Sequence, residues 1–297
     1  MKQNLPAIAL FVYNRPEHTR ITIQNLIKNL RSKEYELYVF SDAPKNNHEK
    51  SKVKIIRKNI KKIKHFKKLS LIQRQKNLGL YKSIKLGLDY LFVKYEKVIV
   101  LEDDIQTNKH FLNYMTKGLE FFNDRKYVGS ISGYSFTDEF PKNYKERFYL
   151  GYRHSSWGWG TWRKIWKEIN WNKNWIKRKS QTKNFSDKFN SGGNDMFHIL
   201  KEQIKGNINS WSIIFDLNCF LKNKFCLCPK KSLIRNFGFD GSGTHCKKDT
   251  NVFDNFDKNF QIKKFKDIKI NNKIIKNIKN SFSVSIFHKI KLKLNLI

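Results

Sequence analysis

Cysteine, proline and acidic residues are all scarce in this chain, and no long apolar run occurs in it. Four cysteines (Cys219, Cys226, Cys228 and Cys246) in 297 residues are too few and too clustered for a disulfide framework. Reduced thiols and a cytoplasmic setting are therefore expected. No stretch reaches the roughly 18 apolar residues of a spanning helix. The N-terminus lacks the basic-then-apolar-then-small order of a secretion signal. Only 25 acids stand against 60 Lys and Arg, a formal charge of +35. A field of that sign attracts polyanions: phosphorylated small molecules, anionic membrane or nucleic acid. The competing explanation is compositional, because the excess is mostly lysine, which usually marks a solvated face.

What is present is a folding pattern. The hydrophobic content of 39% is ample for a packed core. Residues 7–13, 35–40, 69–74 and 98–101 are apolar runs with strand character. Helical spacing falls between them, at residues 21–30, 48–64 and 81–92, and again at 109–122. Strand and helix alternating at this spacing imply βαβ units and a mostly parallel sheet covered on both faces. Ligands of such sheets bind beyond the carboxyl ends of the strands. The polar groups Asn14-Arg15, Ser41-Asp42, Asn77 and Glu102-Asp103-Asp104 all fall at those ends. The second half is less regular. Residues 128–132, 147–152 and 225–228 read as strands, and 195–205 and 210–221 as helices. Residues 155–171 read as a Trp- and Gly-rich turn leading into a helix, 173–192 as a polar mobile loop, and 236–246 as irregular. The expected division is a domain at 1–250 and a basic C-terminal appendage at 251–297.

Glu102-Asp103-Asp104 carries the most information. Three adjacent acids at the end of an apolar strand repel one another and lose solvation. Mn²⁺ or Mg²⁺, which favour oxygen ligands, would relieve both costs. The alternation of a strand sends Glu102 and Asp104 to one side and Asp103 to the other. One carboxylate is thereby free for a metal while another reaches a hydroxyl group. The bland alternative is a solvated acidic turn. Arg15 and Asp42, each just past a strand, are placed to stack on or pair with a base, or else serve as a surface charge and a helix cap. Lys82 is a candidate for neutralising a diphosphate.

Strand–Asn14-Arg15-Pro16–helix, strand–Ser41-Asp42-Ala43-Pro44-Lys45, Asn77-Leu78-Gly79-Leu80 and Val98–Asp104 (VIVLEDD) together resemble the GT-A glycosyltransferases. The similarity is to bacterial sugar transferases of the N-acetylglucosaminyltransferase I type, over roughly residues 6–246. The resemblance implies an α/β GT-A (nucleotide-diphospho-sugar transferase) fold with a mixed, mostly parallel central sheet flanked by helices. It also implies that Glu102-Asp103-Asp104 is the form taken here by the metal-binding DxD motif. Asp104 is then the metal ligand, Glu102 and Asp103 contact donor sugar and ribose, and Arg15 and Asp42 contact the base. A late histidine commonly joins the metal or diphosphate in such enzymes, which points to His245.

Three further features stand beside the resemblance. In Ser155–Trp162 (SSWGWGTW), alternating Gly and Trp offer flat faces for a pyranose ring. Trp157 and Trp159 are the candidates for sugar stacking or else pack under a loop, while Trp162 and Trp166 suit a core. Asn236–His245 (NFGFDGSGTH) is a glycine-rich loop whose N–H groups suit a phosphate. Cys226, Cys228, His245 and Cys246 are poorly spaced for zinc. An inverting transfer needs a carboxylate base. Related enzymes place an Asp directly after a Trp, but Ser212 follows Trp211 here. Asp216, one turn on, is the candidate, and Asp195 precedes another helix.

The expected function is a metal-dependent transfer of a sugar from a UDP-linked donor to a glycan or lipid-linked acceptor, in surface polysaccharide or lipopolysaccharide synthesis. The rivals are a sugar-nucleotide nucleotidyltransferase, which would need a glycine-rich loop after the first strand, and a basic nucleic-acid-binding protein. No nucleic-acid-binding signature is present, so no nucleic acid is expected as a partner. Residues 283–297 mix Ile, Leu and Phe with Lys, which suits peripheral contact with an anionic membrane or a solvated terminal helix.

Overall fold

The computed structural model describes residues 5–241 and 254–282. Its first half follows the apolar runs. Strands β1 (Ala7–Val12), β2 (Glu36–Ser41), β3 (Lys68–Gln73) and β4 (Lys97–Glu102) alternate with helices α1 (Pro16–Ile27), α2 (Lys50–Lys61) and α3 (Gly79–Lys94). These four strands are parallel, in the order β3-β2-β1-β4. Strand β1 is buried throughout, as a strand covered on both faces must be. On α2, Val53, Ile56 and Ile60 face the sheet, while Lys50, Lys52, Lys54, Lys58 and Lys61 are exposed. Much of the chain's lysine excess on this helix is therefore a solvated face.

The short strand β5 (Ile105–Thr107) and helix α4 (Phe111–Phe121) lead to β6 (Val128–Ser132) and β7 (Phe148–Gly151). Strand β8 (Trp159–Trp162) then joins the two halves of the sheet, antiparallel to β4 on one side and to β6 on the other. Helices α5 (Arg163–Lys167), α6 (Lys173–Ser180), α7 (Phe185–Phe189), α8 (Met196–Lys205) and α9 (Trp211–Leu221) follow. Strands β9 (Phe225–Pro229) and β10 (Ile234–Asn236) and helix α10 (Asn272–Ser281) complete the described elements. The full order is β3-β2-β1-β4-β8-β6-β9-β7, a mixed sheet of eight strands, with β5 and β10 forming a separate antiparallel ribbon.

Two segments differ from the sequence reading. Residues 159–162 are a central strand rather than part of a turn. Alternation sends Trp159 to one face, where it stacks on Trp211 of α9 at 4.9 Å and 19°. Trp162 goes to the other face, where its Nε1–H donates to Leu119 O of α4 at 3.0 Å. One short strand thus pins both helical layers. Trp159 is 1% exposed, so it is a core residue and cannot stack on a sugar. Residues 173–192 hold α6 and α7 rather than a mobile loop. Asn172 caps α6 by accepting the Trp175 N–H at 3.0 Å. Ile176, Phe185 and Phe189 are buried, three anchors too widely spaced to show a period.

Residues 254–282, read from sequence as part of an appendage, pack on the same core through Phe260, Ile262, Ile274 and Ile278. The Asn108 Nδ2 group donates to Asp257 O and Phe260 O, both at 2.9 Å. Among the described residues, no helix is long and apolar enough to cross a membrane.

The Trp159–Trp211 stack ties α9 to the sheet. Replacing Trp211 by Ala should cost about 3–5 kcal/mol. Urea unfolding measures this as a lowered midpoint with an unchanged slope.

Candidate active site at the strand ends

Strand β1 ends at Tyr13-Asn14-Arg15, and Pro16 begins α1, where its missing N–H costs nothing. Strand β4 ends one position away in the sheet, at Glu102, with Phe11 paired to Glu102. The guanidinium of Arg15 therefore reaches the acids directly. Its Nη2 donates to Asp104 Oδ2 at 2.8 Å and to Asp103 Oδ1. Asp103 Oδ2 also accepts the Tyr13 N–H at 3.3 Å, and Thr22 Oγ1 donates to Asp103 O at 2.8 Å.

The ribbon of β5 and β10 brings the glycine-rich segment onto the same acids. Asn236 pairs with Ile105, and the Phe237 N–H donates to Asp104 O at 3.0 Å. Gly238 lies so close that a Cβ there would sit 2.1 Å from Asp104 Oδ2 and 2.9 Å from Arg15 Nη1. Only glycine fits this contact. Phe237 stacks on His18 of α1 at 5.1 Å and 12°, and His18 Nε2 lies 3.2 Å from Asp240 Oδ2. Sequence reasoning passed over His18, since a single histidine in an amphipathic helix carries no pattern.

Electrostatics at this corner are unbalanced. Three acids against one guanidinium leave a formal excess of two negative charges when all are ionised. Glu102, partly exposed at the rim, is pushed well above the usual carboxylate range by desolvation, then by the charges of Asp104 and Asp103, with Arg15 opposing. Asp103 is raised by burial, with Arg15 again opposing. Asp104 Oδ1 is buried and has no hydrogen-bond partner among the described residues. Such an orphan acceptor is rare in a native interior. Among the described residues no three His, Cys, Asp or Glu side chains converge as a ready-made cage. Mg²⁺ and Mn²⁺ sites need none: one or two carboxylates suffice when phosphates and waters complete the shell. The residues present fit a divalent cation on Asp104.

The other sequence candidates are distributed around this corner. Asp42 is buried, and its carboxylate accepts the N–H groups of Ala43, Leu78 and Gly79 at 2.9–3.1 Å. It thereby ties the end of β2 to the start of α3, the capping alternative rather than a free base contact. Lys82 is exposed on the first turns of α3. Trp157 is partly exposed and meets Tyr134 edge-on at 4.9 Å and Phe239 at 5.6 Å. His245 and Cys246 lie outside the described residues. Cys219, Cys226 and Cys228 are buried and free.

Asp216 lies on α9, 5% exposed, and its Oδ1 accepts the His154 N–H at 2.8 Å. Asp195, just before α8, is more open. It forms a two-pronged pair with Arg153, Nη1–Oδ1 at 2.8 Å and Nη2–Oδ2 at 3.0 Å, with 21% of its side chain exposed. A continuous run of contacts joins Asp195 to the acidic corner. Phe239 follows Gly238 and meets Trp157, Trp157 meets Tyr134, and Tyr134 meets Phe136. Phe136 meets Phe282, and Phe282 covers Arg153.

Burial pushes Asp216 from 3.8 up to about 7, against the lowering pull of Arg153 and the His154 N–H. Ionising it is therefore harder in the folded chain than in the unfolded one. Its contribution to stability is intact near pH 4 and is lost as pH rises through about 7. Asp216→Asn should raise the melting temperature at pH 8 by about 4 °C or more and change it little near pH 4. Scanning calorimetry at the two pH values checks this.

No curated protein matches the chain. Among solved structures, S. aureus TarS aligns at 14% identity, covering 79% of this chain and 37% of that one, with a TM-score of 0.46. S. aureus TarS 1-349 in complex with UDP-GlcNAc aligns at 13% identity over 77% of this chain and 57% of that one, with a TM-score of 0.42. Mannosyltransferase PcManGT from Pyrobaculum calidifontis, in complex with GDP-Man and Mn2+, aligns at 12% identity over 56% and 47%, with a TM-score of 0.39. The chain spans less than two thirds of the length of each. Residues 1–186 match the GNT-I family, well over half of the 297 residues. The chain belongs to the GNT-I family of glycosyltransferases, and its mixed α/β domain is a GT-A fold.

Proposed function

We propose that this glycosyltransferase moves a hexose or N-acetylhexosamine from a UDP-linked donor to a glycan or lipid-linked acceptor, with inversion and with Mn²⁺ or Mg²⁺ on Asp104. The observation that carries this reading is Asp104 Oδ1, buried and unpartnered where β4 ends. A divalent cation bound there supplies Lewis-acid stabilisation of the departing diphosphate. The chain's own residues do the rest. Arg15 holds Asp103 and Asp104 in place, and Gly238 lets the glycine-rich segment close over them. Glu102 at the rim and Asp103 beside it face the ribose and donor sugar. Asp42 fixes the turn at residues 77–79, just ahead of Lys82, the candidate for neutralising the diphosphate. His245 is a second ligand candidate from the segment that follows Gly241.

Trp157, the partly exposed ring of an aromatic floor whose Tyr134 and Phe136 are buried, is where an acceptor sugar stacks. We assign the base to Asp195 in place of Asp216. Asp195 has a partly exposed carboxylate at the end of that floor, whereas Asp216 is buried and already holds the His154 N–H. In the transfer, the acceptor oxygen forms a bond to the anomeric carbon. The bond from that carbon to the diphosphate oxygen breaks, and the hydroxyl proton passes to Asp195. Surface polysaccharide or lipopolysaccharide assembly would supply such acceptors, and the basic surface suits work at the cytoplasmic face of an anionic membrane.

Steady-state assays with UDP-sugars separate these roles. Asp104→Ala should lower Mn²⁺-dependent turnover at least 10³-fold, on the order of 4 kcal/mol of transition-state stabilisation. Asp195→Asn should lower kcat by about 10²–10⁴ with little change in donor KM, while Asp216→Asn stays within about tenfold. Full turnover by the Asp104→Ala variant rejects the metal site, and the reverse ranking of the two Asn variants returns the base to Asp216.

A further inference from the structure

The C-terminal helix α10 ends on the turn that carries Asp195. The carbonyl of Lys279, in the last turn of α10, accepts the Asn194 N–H at 3.3 Å. A helix's final carbonyls have no partner within the helix, so this bond serves both segments. Phe282 follows α10 directly. Its ring lies under the guanidinium of Arg153, 4.0 Å from centroid to Cζ, well within cation–π range. Gly193 makes the arrangement possible. Its φ is 152°, and a Cβ there would fall 2.6 Å from Arg153 Nη1, 2.6 Å from Asp195 Oδ1 and 3.0 Å from Phe282 Cβ. Four groups from three separate stretches of chain thus converge at one point.

We infer that Arg153 and Phe282 are positioning residues for Asp195, and that the C-terminal segment is a working part of the catalytic site. The inference rests on the assignment of Asp195 as the base. A partly exposed ion pair is weak and loosely oriented when left alone. Here the planar fork of Arg153 engages both oxygens of Asp195 from one side. A carboxylate offers about four lone-pair directions, so two remain for an acceptor hydroxyl. The ring of Phe282 lies against a face of the guanidinium, which fixes the fork's plane. Positional tolerance for proton transfer is narrow, and small displacements of a catalytic group cost large factors in rate.

The test is a set of Phe282 variants of the full-length chain, assayed for kcat and for KM of donor and acceptor. Phe282→Trp keeps a π face and should hold kcat within about threefold. Phe282→Leu fills similar space without a π face, and Phe282→Ala removes it. Both should lower kcat at least tenfold while donor KM stays within twofold. Arg153→Lys, which keeps the charge but loses the fork, should match Phe282→Leu. If Phe282→Leu equals wild type, or if all three Phe282 variants do, the inference is wrong. A fall in donor KM affinity that matches the fall in kcat would show general loosening of the fold instead, and would also overturn it. Asp195→Asn assayed alongside keeps the two ideas apart. If that variant is fully active the base assignment itself has failed. If it is inactive while Phe282→Leu is unaffected, only the positioning role has failed.

Discussion

Two buried carboxylates, Asp103 and Asp104, share one guanidinium at the point where the fourth parallel strand leaves the core. Burying charge without compensation is costly, and Arg15 compensates only part of it. The remaining imbalance is what the proposed divalent cation would relieve. It also dictates the surroundings. β1 must end beside β4 to deliver Arg15, and β10 must pair with β5 to deliver Gly238. No larger residue than glycine can stand there.

The sheet supports the corner through its central seam. Strand β8 runs antiparallel between β4 and β6, so the acidic step and the aromatic floor sit on opposite sides of one short strand. Trp159 and Trp162, facing opposite layers, lock that strand against α9 and α4. Trp157, two residues earlier, then emerges at the rim already aligned with Phe239. The proposed donor and acceptor sides are thereby joined through packed core rather than through loop geometry. The far end of the floor depends on residues more than eighty positions later in the chain, where α10 and Phe282 meet the Asp195 turn.

The parallel half of the sheet was legible because strands buried on both faces read as continuous apolar runs, and 98–101 led straight into Glu102. The acids themselves were visible for the same reason. Strand β8 was hidden because Gly and Trp alternate there, and glycine next to tryptophan signals a turn more strongly than a strand. Helices α6 and α7 rest on Ile176, Phe185 and Phe189, too sparse for a period among so many lysines. Asp42 showed its position but not its partners, which besides the adjacent Ala43 come from residues 78 and 79 at the start of α3 rather than from the helix that follows it. The burial of Asp216 and the more open position of Asp195 were not legible, because a place on or before a helix says nothing of burial. The extent of the C-terminal contribution was not visible either, since Phe260, Ile262, Ile274 and Ile278 are isolated among basic and polar residues.

The central claim is that Asp104 holds a divalent cation against a nucleoside diphosphate. Anomalous diffraction from crystals grown with Mn²⁺ and UDP addresses it most directly. The account predicts a manganese peak within coordination distance of Asp104 Oδ1, with the nucleoside diphosphate bound beside it. A diphosphate bound at the strand ends with no metal on Asp104, or manganese bound only elsewhere in the molecule, would contradict it.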